Sequence, residues 1–201
     1  MTASSQKQVW NNIAEEWAEF KNEIPSERTL EFLKDKKGNI LDLGSGSGRH
    51  MVKLPNSKFF LVDFSEKMIS LAKKKAKKEK IDAEFFVSDL SKLPFEDNFF
   101  DCAICIAALH CLETKKERDQ TIKELYRVMK PKAFAEISVW NKNSFRFAKG
   151  PKEKLIKWRD KGSRYYYLYD SDEIYKDFEN AGFKIIKRLE PERNITFYVK
   201  K

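Results

Sequence analysis

Two aspartates and a glycine-rich turn carry the first chemical signal in this chain. In Ile40–Gly48, I-L-D-L-G-S-G-S-G, an apolar run holding Asp42 is followed by Gly44, Gly46 and Gly48. Glycines at alternate positions let the backbone turn tightly and approach a ligand where a Cβ would clash. Loop amides at the end of a strand suit a polar, nucleotide-like ligand. Ordinary tight turns use glycine too, so the loop gains its meaning from its partners. Asp63 lies about 20 residues past the loop, the spacing of an acid that accepts from ribose hydroxyls. Asp89, after Ser88, is a carboxylate that could accept from an adenine amino group.

These residues need strands behind them. Ile40, Leu41 and Leu43 read as a buried strand, and a short helix is expected next, through Met51, Val52 and Leu54. Lys58–Val62 and Ala83–Val87 read as a second and a third strand, ending beside Asp63 and Ser88. Phe100–Ile106 is apolar on both faces, as a central parallel strand should be. It leads to His110. Phe134–Trp140 is a fifth strand. The three acidic positions and the loop then share the carboxyl ends of parallel strands, the usual ligand site of an open α/β sheet.

The helices are legible from spacing. Val9, Ile13, Trp17 and Phe20 share one face of a first helix. Ser26 can cap a second, carrying Leu30 and Leu33. Ser65 can cap a third, with Met68, Ile69, Ala72 and Ala76 inward and Lys73–Lys80 covering the other sides. Thr114 and Glu117 form a capping box for a fourth, which Pro131 is expected to end. Ser171–Ala181 is a fifth, closed by Gly182. Phe183–Leu189 and Ile195–Lys200 alternate as strands.

These stretches resemble the class I S-adenosylmethionine (SAM) methyltransferases. Asp42–Gly48 is similar to their D-x-G-x-G-x-G loop, and Val87–Leu90 to their adenine-side motif. Leu93–Asp101, L-P-F-E-D-N-F-F-D, resembles the lead-in to their fourth strand. Glu124–Lys132, E-L-Y-R-V-M-K-P-K, resembles their E-x-x-R-V-L-K-P-G-G. The resemblance implies an α/β, Rossmann-like fold. Its sheet has seven mostly parallel strands, an antiparallel C-terminal strand and helices on both faces. It implies SAM as cofactor, held by Asp42, Gly44, Ser45, Gly46, Asp63, Phe64, Met68, Ser88, Asp89, Leu90 and Ile106.

Composition narrows the class further. A chain of 201 residues with 13% aromatics is read as one domain. No apolar stretch approaches the ~18–20 residues of a membrane span. The start, M-T-A-S-S-Q-K-Q, lacks the apolar core of a signal peptide, which predicts a cytoplasmic protein. Cys102 and Cys105 lie on opposite faces of one strand and read as buried thiols, so no metal site is expected. The net charge is +9, and it is localised. Lys67–Lys80 is net +6 and Asn141–Leu168 net +7, leaving the rest of the chain at −4. Basic surface this concentrated suits a polyanion, although a run of lysines also serves simply to solvate a helix.

A narrower resemblance is to the tRNA wobble-uridine carboxyl methyltransferases of the AlkB-homolog-eight type. Val9–Trp17, V-W-N-N-I-A-E-E-W, resembles their leading segment, and Ile104–Leu112, I-C-I-A-A-L-H-C-L, their fourth-strand exit. Arg164–Tyr169, R-Y-Y-Y-L-Y, and Glu192–Asn194, E-R-N, resemble blocks that unrelated methyltransferases lack. Cys111 and Tyr167 replace histidines of that pattern. The resemblance implies that residues 1–36 form a helical lid and 141–168 a basic substrate-side insertion. It implies tRNA as substrate, a small zinc-binding activator protein as partner, and no membrane. A carboxylate acceptor needs a cationic clamp rather than a base, which points to Arg164 and Arg193, with His110 orienting the acceptor.

Plainer readings stand beside these. His110 could cap a strand end or pack on the cofactor. The two arginines could be surface ion-pair partners. A small-metabolite methyltransferase, acting on a quinone precursor or a carboxylate, fits the loop and Asp63 equally well. A SAM-binding, non-catalytic RNA-binding subunit is a further alternative.

Overall fold

A computed structural model describes residues 5–21 and 24–201; residues 1–4, 22 and 23, part of the expected lid, lie outside that description. The helices are α1 (Gln6–Lys21), α2 (Glu27–Leu33), α3 (Glu66–Glu79), α4 (Lys115–Val128) and α5 (Ser171–Asn180). The strands are β1 (Gly38–Leu43), β2 (Ser57–Asp63), β3 (Ala83–Val87), β4 (Phe100–Ile106), β5 (Met129–Trp140), β6 (Glu153–Lys157), β7 (Ser163–Tyr167), β8 (Lys184–Arg188) and β9 (Asn194–Lys200). Seven of them form one sheet, in the order β3-β2-β1-β4-β5-β9-β8. The first five are parallel, and β9 runs antiparallel to both β5 and β8. This is the sheet the resemblance implies.

Strand alternation splits the core in two. Leu41, Leu43, Ala103 and Cys105 join the cluster that holds Ile122 and Leu125 of α4 and Phe178 of α5. Ile40, Cys102 and Ile104 join Leu33 of α2 and Ile69 and Ala72 of α3. Cys102 and Cys105 thus face opposite sides, and burial pushes both thiols up to about 12. The caps form as the sequence indicates. Ser26 accepts from the Thr29 amide, Ser65 from the Met68 amide, and Thr114 and Glu117 close a capping box. Such caps each contribute about 1 kcal/mol.

Four details differ from the sequence reading. No helix follows the glycine loop: residues 46–50 are turns, and 51–54 have no regular structure. Only eight residues separate Gly48 from β2, and Pro55 is one of them, so Met51 is buried without a helix to carry it. Pro131 does not end α4, which stops at Val128; it lies inside β5. The ladder shifts there, with Phe100 opposite Met129 but Cys102 opposite Phe134. Pro131 sits in the bulge, where its missing N–H costs no ladder bond. Lys132 turns through φ +69, the conformation glycine adopts most easily. Lys75 is buried, unlike the neighbouring lysines of α3.

The fourth difference is the basic insertion, which contains a hairpin. β6 and β7 pair antiparallel, from Glu153 opposite Tyr167 to Lys157 opposite Ser163. Gln6 of α1 ties the hairpin to the N-terminal helix. Its side-chain nitrogen donates to the Ser163 carbonyl, and its oxygen accepts from the Tyr165 amide at 2.8 Å. Trp158 Nε1 donates to Glu16 at 2.8 Å, and Arg159 and Lys161 form ion pairs with the same carboxylate. These contacts span more than 140 residues of chain, which is why local spacing could not show them.

Candidate active site

The carboxyl ends of β1, β2, β4 and β5 open on a cleft of about 710 Å³. A shallower cavity of about 430 Å³ lies at the opposite strand ends, beside Gly38, Asn39 and Lys58. Open α/β sheets bind their ligands at the carboxyl ends, so the larger cleft is the candidate site. Of the expected cofactor residues, Gly44, Ser45, Gly46, Asp63, Phe64, Met68, Leu90 and Ile106 line it.

The glycine loop is fastened from below. The amides of Gly44 and Ser45 both donate to the Val62 carbonyl, at 2.8 and 3.0 Å. The Gly46 amide donates to Asp63 at 2.9 Å, and the Ser65 amide takes the other oxygen of that carboxylate at 2.9 Å. Asp63 therefore latches the loop as well as facing the cleft. Each carboxylate oxygen has a second lone pair, so ribose hydroxyls can still be accepted. Lys75 supports the same loop, with Nζ donating to the carbonyls of Gly48 and Arg49 at 3.0 and 3.1 Å. A SAM-like group fits what remains. The buried Ser45 Oγ has no hydrogen-bond partner, and a Cβ at Gly46 would meet nothing nearer than Met68 Sδ at 4.0 Å.

Three expected cofactor residues do not line the cleft. Asp42 is buried and is not among the residues that line the cleft. Burial pushes its carboxyl up to about 7, with the Asp63 charge adding to the rise and Lys75 opposing it. Its Oδ2 has no hydrogen-bond partner among the described residues. Ser88 and Asp89 are also outside the lining. Asp89 is exposed and accepts from the amide and hydroxyl of Ser91, at 2.8 and 2.9 Å, so it holds its own turn. Leu90, next in sequence, faces the cleft instead.

The acceptor side is built on aromatics. His110 follows β4 in a 3₁₀ turn, Leu109–Cys111. Its Nδ1 accepts from the Trp140 amide at 3.2 Å, which places the proton of the neutral ring on Nε2. Its ring stacks on Trp140 at 5.1 Å, and Trp140 stacks on Tyr166 at 4.2 Å. Arg193, exposed at the cleft, holds its guanidinium 5.9 Å from the Trp140 ring.

Arg164 is the correction here. It is 5% exposed and does not line the cleft. Its guanidinium lies 4.8 Å from the rings of both Trp17 and Trp158 and donates to the Tyr166 hydroxyl at 2.7 Å. It reaches the site through Tyr166 and Trp17, both of which line the cleft. His110 and Arg193 converge on the cleft, while Arg164 stands one residue behind it. The aromatic box needs α1 and the hairpin together, and local spacing carries no sign of that pairing.

Sequence reasoning also missed part of the cleft. Arg28 and Thr29 enter from α2, His50 from the glycine-loop exit, and Glu136, Ser138 and Thr196 from β5 and β9. A charge in the middle of A-F-A-E-I-S-V-W was the available signal for Glu136.

Asp63 gives a test of the cofactor side. Its carboxyl is raised to about 6 by burial, against the lowering effect of the Ser65 and Gly46 amides. A raised folded value means that its stability contribution is full below about pH 4 and is lost as pH rises through about 6. Ligand binding runs the other way, because the ionised carboxylate accepts ribose hydroxyls better. SAM affinity should therefore rise between about pH 5 and 7.5. Asp63→Ala should weaken SAM by roughly 1–3 kcal/mol at about pH 7.5 and flatten that rise. Calorimetry showing unchanged affinity in the variant would place the cofactor elsewhere.

Comparison with known proteins agrees with the geometry. Residues 40–132 match a family model described as a methyltransferase domain. The tRNA (carboxymethyluridine(34)-5-O)-methyltransferase of Arabidopsis thaliana is 39% identical over 101 residues, 50% of this chain and 24% of that protein. The probable tRNA methyltransferase 9B of Homo sapiens is 31% identical over 145 residues, 69% of this chain and 30% of that protein. This chain thus spans less than a third of either relative. A solved SAM-dependent methyltransferase from Aquifex aeolicus has a TM-score of 0.64 at 25% identity, over 87% of this chain and 88% of that one. The family match begins in β1 and ends in β5, so it takes in the glycine loop, its Asp63 latch and His110. The chain belongs to the class I SAM-dependent methyltransferases, and its cofactor is SAM.

Proposed function

We propose that this domain methylates a carboxymethyl group on the wobble uridine of tRNA to its methyl ester. The observation that carries this reading is the aromatic wall of the cleft. There His110 and the Arg193 guanidinium flank Trp140, which also stacks on Tyr166. Aromatic faces suit a pyrimidine base, and a guanidinium fork suits a carboxylate.

When bound, SAM supplies an activated methyl on a sulfonium for in-line attack by a carboxylate oxygen. That oxygen is already deprotonated at neutral pH, so the protein's task is alignment. Arg193 holds the carboxylate. His110, fixed by the Trp140 amide, lines the cleft and orients the acceptor. Arg164 positions Tyr166 through its hydroxyl. Residues 1–36 and 141–168 act as lid and substrate-side insertion, joined through Gln6 and Glu16.

The rim supports an RNA acceptor. Phe145 is wholly exposed, and Arg146 and Lys149 beside it are exposed as well. An aromatic ring among cations is the arrangement that stacks and neutralises single-stranded RNA. A small zinc-binding activator protein, which the family resemblance implies, belongs to the same proposal.

Labelled methyl transfer to total tRNA, with nucleosides identified by mass spectrometry, tests the reading. The expected product is a methyl-esterified wobble uridine, formed faster when the activator is co-purified. Transfer to no RNA, but to a quinone precursor or metabolite carboxylate, would move the small-molecule reading ahead.

A further inference from the structure

The sheet face under α2 carries a buried acceptor that methyl transfer, as described above, does not use. Glu136 is 1% exposed, lines the cleft, and has no hydrogen-bond partner for Oε2. Its register is central. Glu136 pairs with Ile104, and Ile104 pairs with Asp42, so it lies two strands from the glycine-loop strand. At ~4.8 Å per strand that is about 10 Å away.

Neighbours complete one side of it only. Ser26 Oγ donates to Thr29 Oγ1 at 2.7 Å, which leaves the Thr29 hydroxyl proton for Glu136. Arg28 contributes charge from the same helix. Further along the same face, the Thr196 hydroxyl donates to Ser138 at 3.2 Å. The alternate residues Ala135, Ile137 and Val139 pack into the opposite core. Folding alone would be served better by an apolar residue at position 136, because a buried carboxylate with a vacant oxygen is costly. Burial raises its carboxyl to about 7. Native structures retain such a group where a ligand completes it.

We propose that Glu136 is the receptor for a nitrogen-borne hydrogen-bond donor of a ligand bound in this cleft, an ammonium or an N–H group. The proposal rests on the SAM cleft described above. Two ligands carry such a donor: the amino-acid end of the cofactor and the base of the acceptor. Thr29 and the Glu136 carboxylate form the deep end of the site, and Ser138 with Thr196 forms the approach to it.

Four measurements separate the outcomes. Calorimetry uses S-adenosylhomocysteine, which keeps the amino-acid end, and 5′-methylthioadenosine, which lacks it. Initial rates with total tRNA report on the acceptor, and ligand-free melting reports on folding. Glu136→Leu removes both acceptor oxygens, and Glu136→Gln removes the charge at nearly constant size. If the cofactor supplies the donor, Glu136→Leu weakens S-adenosylhomocysteine at least 10-fold and leaves methylthioadenosine within 2-fold. If the acceptor supplies it, both nucleosides bind as before and KM for tRNA rises at least 10-fold with kcat held. In either case the ligand-free variants melt at or above the wild-type temperature. Unchanged binding and KM in both variants overturns the proposal. So does a lower ligand-free melting temperature in Glu136→Gln, which would make Glu136 a structural partner of α2. Failure of wild-type protein to bind methylthioadenosine would instead remove the cleft assignment on which this rests.

Discussion

Gly44→Ala is expected to reduce SAM affinity on the order of 100-fold and to lower stability by about 3 kcal/mol or more. Gly44 sits at φ +75, where an L residue costs ~1–2 kcal/mol. Its added Cβ would lie 2.1 Å from the Ala108 Cβ, well inside van der Waals distance. Neither atom belongs to a flexible side chain. Relief requires moving the loop, which is bonded to Val62, or the Ala108 turn that carries His110. Either shift damages the site. Gly46→Ala is the internal control for folding. Its φ is +54, but the nearest atom to a new Cβ is 4.0 Å away. It should cost only the conformational ~1–2 kcal/mol in the ligand-free protein. Thermal melting and calorimetry on both variants check this. Gly44→Ala binding SAM within 3-fold of wild type would mean that the loop does not approach the cofactor as described.

The contrast between these glycines shows what sequence could and could not reveal. Alternating glycines after an apolar run identify the loop, and the strand periods identify the sheet behind it. Which glycine is locked by a neighbour depends on Ala108, more than sixty residues away. The differences from the sequence reading have local and distant causes. Met51, Val52 and Leu54 look helical by spacing, but the short link to β2 leaves no room for a helix. Asp89 has the residue type and spacing of a ligand-binding acid, and one of its oxygens also caps its own turn through Ser91. Arg164 looks like a free cation on a basic segment. Only the joining of α1 to the hairpin turns it into the centre of an aromatic box. Local chemistry was legible wherever a motif is contiguous. Where the partner lies far along the chain, it was not.

Neutralising the free cations of the insertion is expected to lower tRNA affinity by a factor on the order of 10²–10³ near 0.1 M salt. The insertion's charge is not uniform. Lys152 is paired with Asp170 and Glu173, Arg159 and Lys161 with Glu16, and Arg164 is buried. Those four hold the hairpin in place and are poor candidates for binding phosphate. Lys142 donates to the Ala148 carbonyl at 2.9 Å. Among the described residues, Arg146, Lys149, Lys154 and Lys157 form neither an ion pair with a carboxylate nor such a backbone bond, so they remain for a polyanion. A variant with glutamine at these four positions keeps the structural pairs and should melt normally. Each phosphate that the variant no longer neutralises should reduce the slope of log K against log salt by about 0.7–0.9. SAM affinity should stay within 2-fold, because none of the four lines the cleft. A second variant separates the other basic surface. Lys73, Lys74, Lys77 and Lys78 on α3 and Lys80 at its C-cap are exposed, and α1 lies between that helix and the hairpin, packed on both. If α3 is only a solvated face, replacing its lysines leaves the salt slope unchanged. If the slope falls with the α3 variant and not with the insertion variant, the RNA crosses the other side of α1 and the insertion is a lid alone. A slope near zero for the wild-type protein would remove the RNA acceptor and leave a methyltransferase of small molecules.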